Sequence, residues 1–501
     1  MTMVREGTRQ AMAWLHGWTG LLLGHILFIM CLTGTLAVFK GEISRWMRPE
    51  ASAAASPAGA IATATDWLSR NSHGSTGWYL TAPNGHNNAV EATYNEDGGP
   101  FRKRALDPLS GAPVARETLG GEFFYRLHFE LEMPYPWGRL LASAAALAML
   151  VALITGVIAH KRIFKDIFTF RPAKGQRSWL DGHNALGVLA LPFHIMISFT
   201  GLMTLASLNM PWGMVSAYGE DVAAFYADLT PGAVSRAATG DKAPLAPIAP
   251  MLTLAQRHFG GTPIGQVYIF NPGDSGAVVT VYPSERDAIG YLPGEISFDG
   301  TTGKPLKGWM ERCPAMRTYQ TIYGLHMAHF APAVTRWLYF LGGAMLTMTI
   351  ATGMTLWIVK RRDRAPLSAG NRVLERLNAG VIGGVPLGSV AFLIANRLLP
   401  LAMADRAQAE VSVAVWTAAA GLAVGLTLRP ALSWPLLLGA LSMGCAAAAL
   451  LGPLWASDGA IMGINLSLLL FAAGLAPTAM RLIRRLRAPA PQHGGRRATA
   501  S

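Results

Sequence analysis

The sequence predicts an α-helical polytopic membrane protein of about eight transmembrane helices, in which two outer α+β domains interrupt a tandem-duplicated four-helix core. Three observations predict it: apolar runs of membrane length, a repeated pattern of histidines, and basic residues confined to alternate loops. The chain has 501 residues, of which 51% are hydrophobic and 14% charged. That balance belongs to membrane proteins rather than to soluble enzymes.

The apolar runs lie near Gly17 to Phe39, Leu140 to Ala159, Ala185 to Met210, Trp337 to Val359, Ala379 to Ala395, Val411 to Leu428, Ala431 to Leu454 and Ala460 to Met480. Each is close to the ~20 residues that a bilayer requires. The first run passes through Thr33-Gly34 into Leu36-Ala37-Val38-Phe39-Lys40 without a small-residue cleavage motif. It therefore reads as an anchor and not as a removable signal.

The division that follows is a first span in 1–40, an outer domain in 41–137, a second span in 138–160, a basic loop in 161–182 and a third span in 183–210. A second outer domain occupies 211–334, a fourth span 335–359, a linker 360–378, a four-helix bundle 379–480 and a disordered tail 481–501.

The net charge of +13 raises the question of nucleic acid, and its distribution answers it. Residues 1–16, 160–184, 360–378, Arg429 and the tail from Arg481 hold 21 basic and 5 acidic residues, whereas the rest hold 21 basic and 24 acidic. Basic segments alternate with neutral ones along the helix order, which is the positive-inside pattern. The charge is topology: both termini and the basic loops are expected in the cytoplasm, and no nucleic-acid partner is expected.

Both outer loops contain strand-like stretches, Gly77-Trp78-Tyr79-Leu80 in one, Gln266 to Phe270 and Ala277 to Tyr282 in the other. They also share a turn, Leu106 to Val114 and Phe298 to Leu306, in which Asp107 or Asp299 opens and a glycine with positive φ closes. The Ala-, Ser- and Pro-rich stretch Ala51 to Ala64 reads as a linker. The last four helices hold no histidine and read as a scaffold, with the small residues of Ala418 to Gly425 serving helix packing.

The duplication is clearest in the histidines. His16 precedes Thr33-Gly34 by seventeen residues, and His183 precedes Thr200-Gly201 by the same interval. His128 precedes Thr155-Gly156 by 27 residues and His326 precedes Thr352-Gly353 by 26. The repeat unit is helix, outer domain, helix, occurring twice in parallel orientation. A single interfacial histidine is usually a hydrogen-bonded helix-end residue, but four in equivalent places, two at each face, point to a bound metal or to proton movement. His25, His160, His194 and His329 have no repeat counterpart and are weaker candidates. The Thr-Gly pairs themselves read as helix packing.

Two imidazoles from two helices fit haem iron, copper or zinc, and the surroundings favour haem. A b-type haem takes one histidine on each face, a large apolar slot and basic groups for its propionates. Gly17, Gly20 and Gly187 would let a flat macrocycle approach the backbone, and Arg9, Arg162, Arg126, Arg139 and Arg336 stand near the two interfaces to meet propionates. No Cys-x-x-Cys-His occurs, so covalent attachment is excluded. Cys31, Cys313 and Cys445 are isolated and indicate no thiolate cluster or disulfide framework.

The pattern Leu-His-x-Trp-x-Gly-Leu with Leu-Thr-Gly-x-Leu-x-x-Phe-Lys at 15–40, Asp-Gly-His-Asn-x-Leu-Gly at 181–187, and Leu-His with Thr-Gly-Met-Thr-Leu-Trp at 325–357 resembles the PepSY-associated transmembrane family over roughly residues 10–365. The resemblance implies that the outer domains are PepSY modules. It also implies a ferric-siderophore reductase of the bacterial inner membrane that carries b-type haems, with the four repeat-equivalent histidines at the family's histidine positions. The pairing expected here is His16 with His183 for an inner haem and His128 with His326 for an outer one. Two features depart from the family's better understood members. Four extra helices follow the core, and no flavin or nicotinamide domain is fused, since no Gly-x-Gly-x-x-Gly follows a strand at the inner face.

The expected mechanism is an electron relay from a cytoplasmic or quinol donor, through two haems, to a ferric siderophore or other metal chelate held between the outer domains. Trp137, Tyr135, Trp212 and Trp309 are candidate substrate contacts, and Glu130 and Glu132 candidate receivers of released Fe(II). A proton- or metal-coupled transporter using His25 and His194, and a PepSY-based regulatory or assembly protein, remain as alternatives.

Overall fold

The computed structural model describes residues 7–53, 56–160, 171–172, 174–286, 288–290, 294–453 and 458–487. Helix α1 (Thr8–Ala37) leads into α2 (Lys40–Met47) and α3 (Pro57–Asn71), then strands β1 (Gly77–Thr81), β2 (Val90–Tyr94) and β3 (Arg102–Leu106). Helices α4 (Glu122–Glu130) and α5 (Trp137–Ala159) return the chain to the other end. The second passage begins with α6 (Gln176–Leu189) and α7 (Leu191–Thr204), followed by the short α8 (Ala206–Asn209), α9 (Trp212–Tyr218) and α10 (Val222–Leu229). After α11 (Ile248–His258) come β4 (Ile264–Phe270), β5 (Val278–Pro283), β6 (Gly294–Asp299) and β7 (Pro305–Met310), then α12 (Pro314–Met327) and α13 (Ala333–Arg362). Four further helices follow: α14 (Ala369–Leu398), α15 (Arg406–Thr427), α16 (Pro430–Leu451) and α17 (Gly459–Arg487).

Seven of these helices are long and apolar enough to cross a membrane, and an eighth span arises if α6 and α7 count as one. The chain is a multi-pass helical membrane protein. The expected third span is bent by 67° between α6 and α7. Pro192 explains the break: it has no N–H to give the preceding turn, and its ring crowds that turn.

The chain divides into two compact units, one holding residues 1–365 with 399–409 and 455–461, the other 366–398, 410–454 and 462–501. In the first, α1 packs against α5 and α13, while α6 and α7 lie against α13 and α5. Strands from both outer segments form one seven-stranded antiparallel sheet in the order β3-β2-β1-β4-β5-β6-β7. The expectation of two separate outer domains is thereby corrected. β1 and β4 would each leave an edge of unpaired backbone groups, and pairing them, Tyr79 opposite Tyr268, satisfies both.

The alternation of strand residues gives this sheet two different faces. Trp78, Leu80, Val267, Ile269, Val279, Val281 and Phe298 point to a core closed by Ile61, Leu68, Met251 and Leu252 of α3 and α11. Tyr79, Thr81, Gln266 and Tyr268 point to the opposite side, over the helix ends.

The stretch Ala51 to Ala64 is therefore no mere linker: α3 begins at Pro57, capped by the Ser56 hydroxyl accepting from Gly59 N–H, and its Ala60, Ile61 and Ala64 are core residues. Low complexity hid an amphipathic helix whose apolar face is made of small residues. Residues 54–55 lie outside the described set.

The shared turn forms as expected. Asp107 Oδ1 accepts from the N–H groups of Leu109 and Ser110, and Asp299 Oδ1 from those of Thr301 and Thr302. Gly111 and Gly303 close the two turns at φ +73° and +72°.

In the second unit, Gly380, Gly384 and Gly388 of α14 meet Leu422, Gly421 and Ala418 of α15 at backbone-contact range. Small residues are what permit so close a crossing in an apolar medium. The Glu410 carboxylate is buried there and accepts from the Asn396 amide at 2.8 Å. At the C-terminus α17 continues past Met480 to Arg487, so a disordered tail from Arg481 is corrected for 481–487, because the arginines there are good helix formers. Residues 488–501 lie outside the described set.

Candidate functional site

The four repeat-positioned histidines come together as two pairs on four helices. His16 of α1 faces His183 of α6, with ring centroids 6.1 Å apart and planes inclined at 66°. His128 of α4 faces His326 of α12, again at 6.1 Å, with planes inclined at 22°. Two imidazoles sharing one metal through nitrogens at about 2.0–2.1 Å would put their centroids roughly 6 Å apart. Both pairs have that spacing.

Each ring is held in the same way. Its Nδ1–H donates to a backbone carbonyl of a neighbouring span: His16 to Ala152 at 2.8 Å, His183 to Thr349 at 2.9 Å, His128 to Met30 at 2.7 Å and His326 to Ile197 at 3.2 Å. Such a bond fixes the tautomer with the proton on Nδ1, so the Nε2 lone pair is the one presented for a metal.

The carbonyls lie three or four residues before the four Thr-Gly pairs, which explains those pairs. A Cβ at Gly34 would lie 2.7 Å from the His128 ring, at Gly201 2.7 Å from His326, at Gly156 3.1 Å from His16 and at Gly353 3.0 Å from His183. The glycines are seats for the histidine rings, and reading them as plain helix packing is corrected. The interval between each histidine and the Thr-Gly of its own helix pair carried the signal of repetition. What it did not show was that each histidine uses the Thr-Gly of another span.

The expected role of the other glycines changes too. Gly17 lies against Trp357 and Gly187 against Thr349, so these two are packing contacts, whereas Gly20 faces open space.

The helices bearing His128 and His326 end just beyond them. Leu131 caps α4 and Ala328 caps α12, both left-handed at φ +55° and +54°, unusual for residues with a side chain. The strain turns each chain back into a span while its histidine stays on the last turn.

Between His16 and Met30, whose carbonyl holds His128, fourteen residues of α1 rise about 21 Å. The pairs thus sit near opposite ends of the spans. The sheet-end pair opens onto a cavity of about 1450 Å³ beneath the polar face of the sheet. This exceeds the ~300–1,000 Å³ of most ligand sites. Tyr125 and Tyr323, one turn before His128 and His326, line it from below, and Tyr79 and Tyr268 from above. Burial pushes the Tyr323 phenol up to about 12 and that of Tyr125 higher, so both remain hydrogen-bond donors at neutral pH.

Of the expected propionate partners, Arg139 and Arg336 line this cavity. Arg139 donates to Glu130 at 2.7 Å, and Arg336 is buried, donating to Glu42 at 2.7 Å and pairing with His86. Arg126 is turned to Glu130, Arg9 donates to the Ala159 carbonyl, and Arg162 lies outside the described residues.

His160 is the C-cap of α5. His329 lines the cavity and bonds Glu285 at 2.5 Å. His194 is buried, its Nε2–H donating to the Gly342 carbonyl at 3.3 Å, and His25 is half-buried on α1. None of these four joins a pair.

Tyr135 lines the cavity, while Trp137, Trp212 and Trp309 are exposed and are not among its lining residues. Glu130 is engaged by Arg126 and Arg139.

The model of the PepSY-associated TM region matches residues 13–360 of this chain. An uncharacterized protein of Pseudomonas aeruginosa is 28% identical over 381 residues, covering 70% of this chain and 92% of that relative.

Proposed function

Given a chain that belongs to the PepSY-associated transmembrane family, we propose that it is a haem-dependent transmembrane electron carrier that reduces a ferric siderophore or similar chelate. The observation that carries this reading is the pair of histidine pairs, each at 6.1 Å with every Nδ1 tied to a span carbonyl. Haem b, two per chain, would supply a one-electron couple near each end of the spans.

In this reading His16 and His183 hold one group, and His128 and His326 the other. Arg139 and Arg336 orient the second group from the cavity side, and the glycines at 34, 156, 201 and 353 keep the rings at ligating distance. Residues 1–160 and 183–362 act as two copies of one unit, since both make the same histidine contacts, and the sheet joins two PepSY-like halves.

The substrate lies in the cavity under the sheet, where Tyr79, Tyr125, Tyr268 and Tyr323 offer aromatic faces and phenol donors to an oxygen-rich chelate. One electron converts Fe(III) to Fe(II), which hard oxygen donors hold far less well, so the iron is released. The confinement of basic residues to alternate loops supports the bacterial inner membrane, with both termini in the cytoplasm and the sheet outside.

The test is a dithionite-reduced minus oxidised spectrum with haem quantified per chain, for the wild type, His16→Ala and His326→Ala. Two low-spin b haems, with one lost in each variant, are expected. A wild-type protein without haem refutes the relay and leaves transport or partner binding as the readings to pursue.

A further inference from the structure

Beside the His16–His183 pair lies a set of aromatic rings that the relay does not account for. Trp357 of α13 stands one helical turn past Gly353, the seat of His183, and its ring is 3.2 Å from where a Cβ on Gly17 would be, next to His16. Trp18 meets Trp357 at 5.6 Å between centroids, and Trp14 meets Trp18 at 6.1 Å. The three indoles therefore form a continuous row from Gly17, the residue after His16, to the outside of α1.

That outer face is exposed where the chain is a membrane span. Trp14, Trp18 and Leu22, spaced four residues apart on one stripe, are 62%, 40% and 71% exposed. A molecule reaching this stripe comes from the lipid.

Two groups at the inner end of the set can hold an oxygen atom. The Trp357 indole Nε1–H is shielded from solvent and has no hydrogen-bond partner among the described residues. The Arg361 guanidinium lies 3.3 Å from the Trp357 ring centroid. A shielded donor without an acceptor is destabilising, and a ligand carbonyl or hydroxyl would satisfy it.

The set also breaks the repeat that governs the rest of the core. Counted from the matched histidines and Thr-Gly pairs, Trp14, Trp18 and Trp357 correspond to Asp181, Ala185 and His160. On the other side Asp181 is instead buried and closed by Arg171. Scaffold needed by both halves would recur in both, and tryptophans serving only as an interfacial belt would have no reason to converge on one histidine pair.

We propose that Trp357, Trp18 and Trp14 form a docking site for the ring of a membrane quinol, reached from the lipid beside the His16–His183 pair. The flat ring stacks among the indoles, and one quinol oxygen accepts from Trp357 Nε1–H with Arg361 beside it. Oxidation to the quinone breaks two O–H bonds, sends two protons to water at the His160 end of the helices, and yields two electrons. These pass one at a time to a one-electron acceptor at the His16–His183 pair. Only this last step rests on the relay reading; the binding site stands apart from it.

The experiment is photolabelling of the purified full chain in lipid nanodiscs with an azido-quinone, followed by peptide mapping, with haem per chain measured on the same sample. Labels are expected on the α1 peptide spanning Trp14 to Leu22 and on the α13 peptide holding Trp357. Excess decylubiquinol should displace them, and the displaceable label should fall at least tenfold in Trp357→Phe and in the surface variant Trp14→Leu. Label spread evenly over the spans and not displaced overturns the site. A haem-loaded protein with that result keeps the relay and points to a soluble protein donor. A haem-free protein with displaceable label overturns the relay and keeps the site.

Discussion

A methyl group added at Gly34 is pressed into the His128 ring. The new Cβ would lie 2.7 Å from both Cε1 and Nδ1, whereas ordinary contact starts at 3.4 Å, so the ring has to retreat by about 0.7 Å. Metal–ligand distances tolerate shifts of only about 0.2 Å. The displaced ring cannot keep both its 2.7 Å bond to Met30 and its 6.1 Å spacing from His326. Gly201→Ala does the same to His326, while Gly156→Ala and Gly353→Ala, at 3.1 and 3.0 Å, demand about half the movement. Overpacking costs about 1–3 kcal/mol, and the better helix propensity of alanine returns about 0.8–1 kcal/mol. The net loss is therefore small enough for the protein to fold.

The assay is haem per chain with the reduced-minus-oxidised spectrum. On the proposed relay, Gly34→Ala and Gly201→Ala should lose the sheet-end haem and keep the other, Gly156→Ala and Gly353→Ala should show a smaller perturbation of the opposite-end haem, and Gly20→Ala, which meets nothing within 4 Å, should match the wild type. Two unperturbed low-spin haems in Gly34→Ala and Gly201→Ala would refute the reasoning that these glycines seat ligand rings.

Truncation of the buried Arg336 to Met leaves Glu42 with His86 as its remaining partner and the Val38 carbonyl without its donor; a loss of about 3 kcal/mol is expected in denaturant unfolding. Although burial pushes Asp107 up, N–H bonds from Ser52, Ser110 and Leu109 hold its carboxyl at about 2, below the ordinary 3.8. The stability it contributes is present above about pH 4 and lost as the pH falls towards 2, so hydrogen exchange at the 107–111 turn should rise over that window in the wild type. In Asp107→Asn the same turn should exchange fast at every pH. Ser56→Ala removes the cap of α3 and should cost about 1 kcal/mol, read as a lower midpoint for unfolding of the sheet domain. An unchanged midpoint would mean that α3 is not held through its first turn.

The multi-pass helical membrane class and the four histidines that the fold sets in two pairs were legible from residue order alone. Hydropathy reports burial in lipid one segment at a time, and a duplicated His to Thr-Gly interval is a one-dimensional pattern. The turn at Asp107 and Asp299 was legible for the same reason, since its hydrogen bonds join neighbours in the chain.

What the sequence left open were relations between segments far apart. Neither outer segment reveals that β1 will pair with β4, because an unpaired edge looks the same whichever partner completes it. Low complexity around Ala51 to Ala64 concealed α3, whose small apolar face has meaning only against the sheet. Packing alone decided that Gly34 serves His128 and Gly353 serves His183: which carbonyl and which bare Cα receive an imidazole is set by how spans lie against one another. Local pattern fixes which residues are available, and only the tertiary arrangement decides which of them share a metal-sized gap.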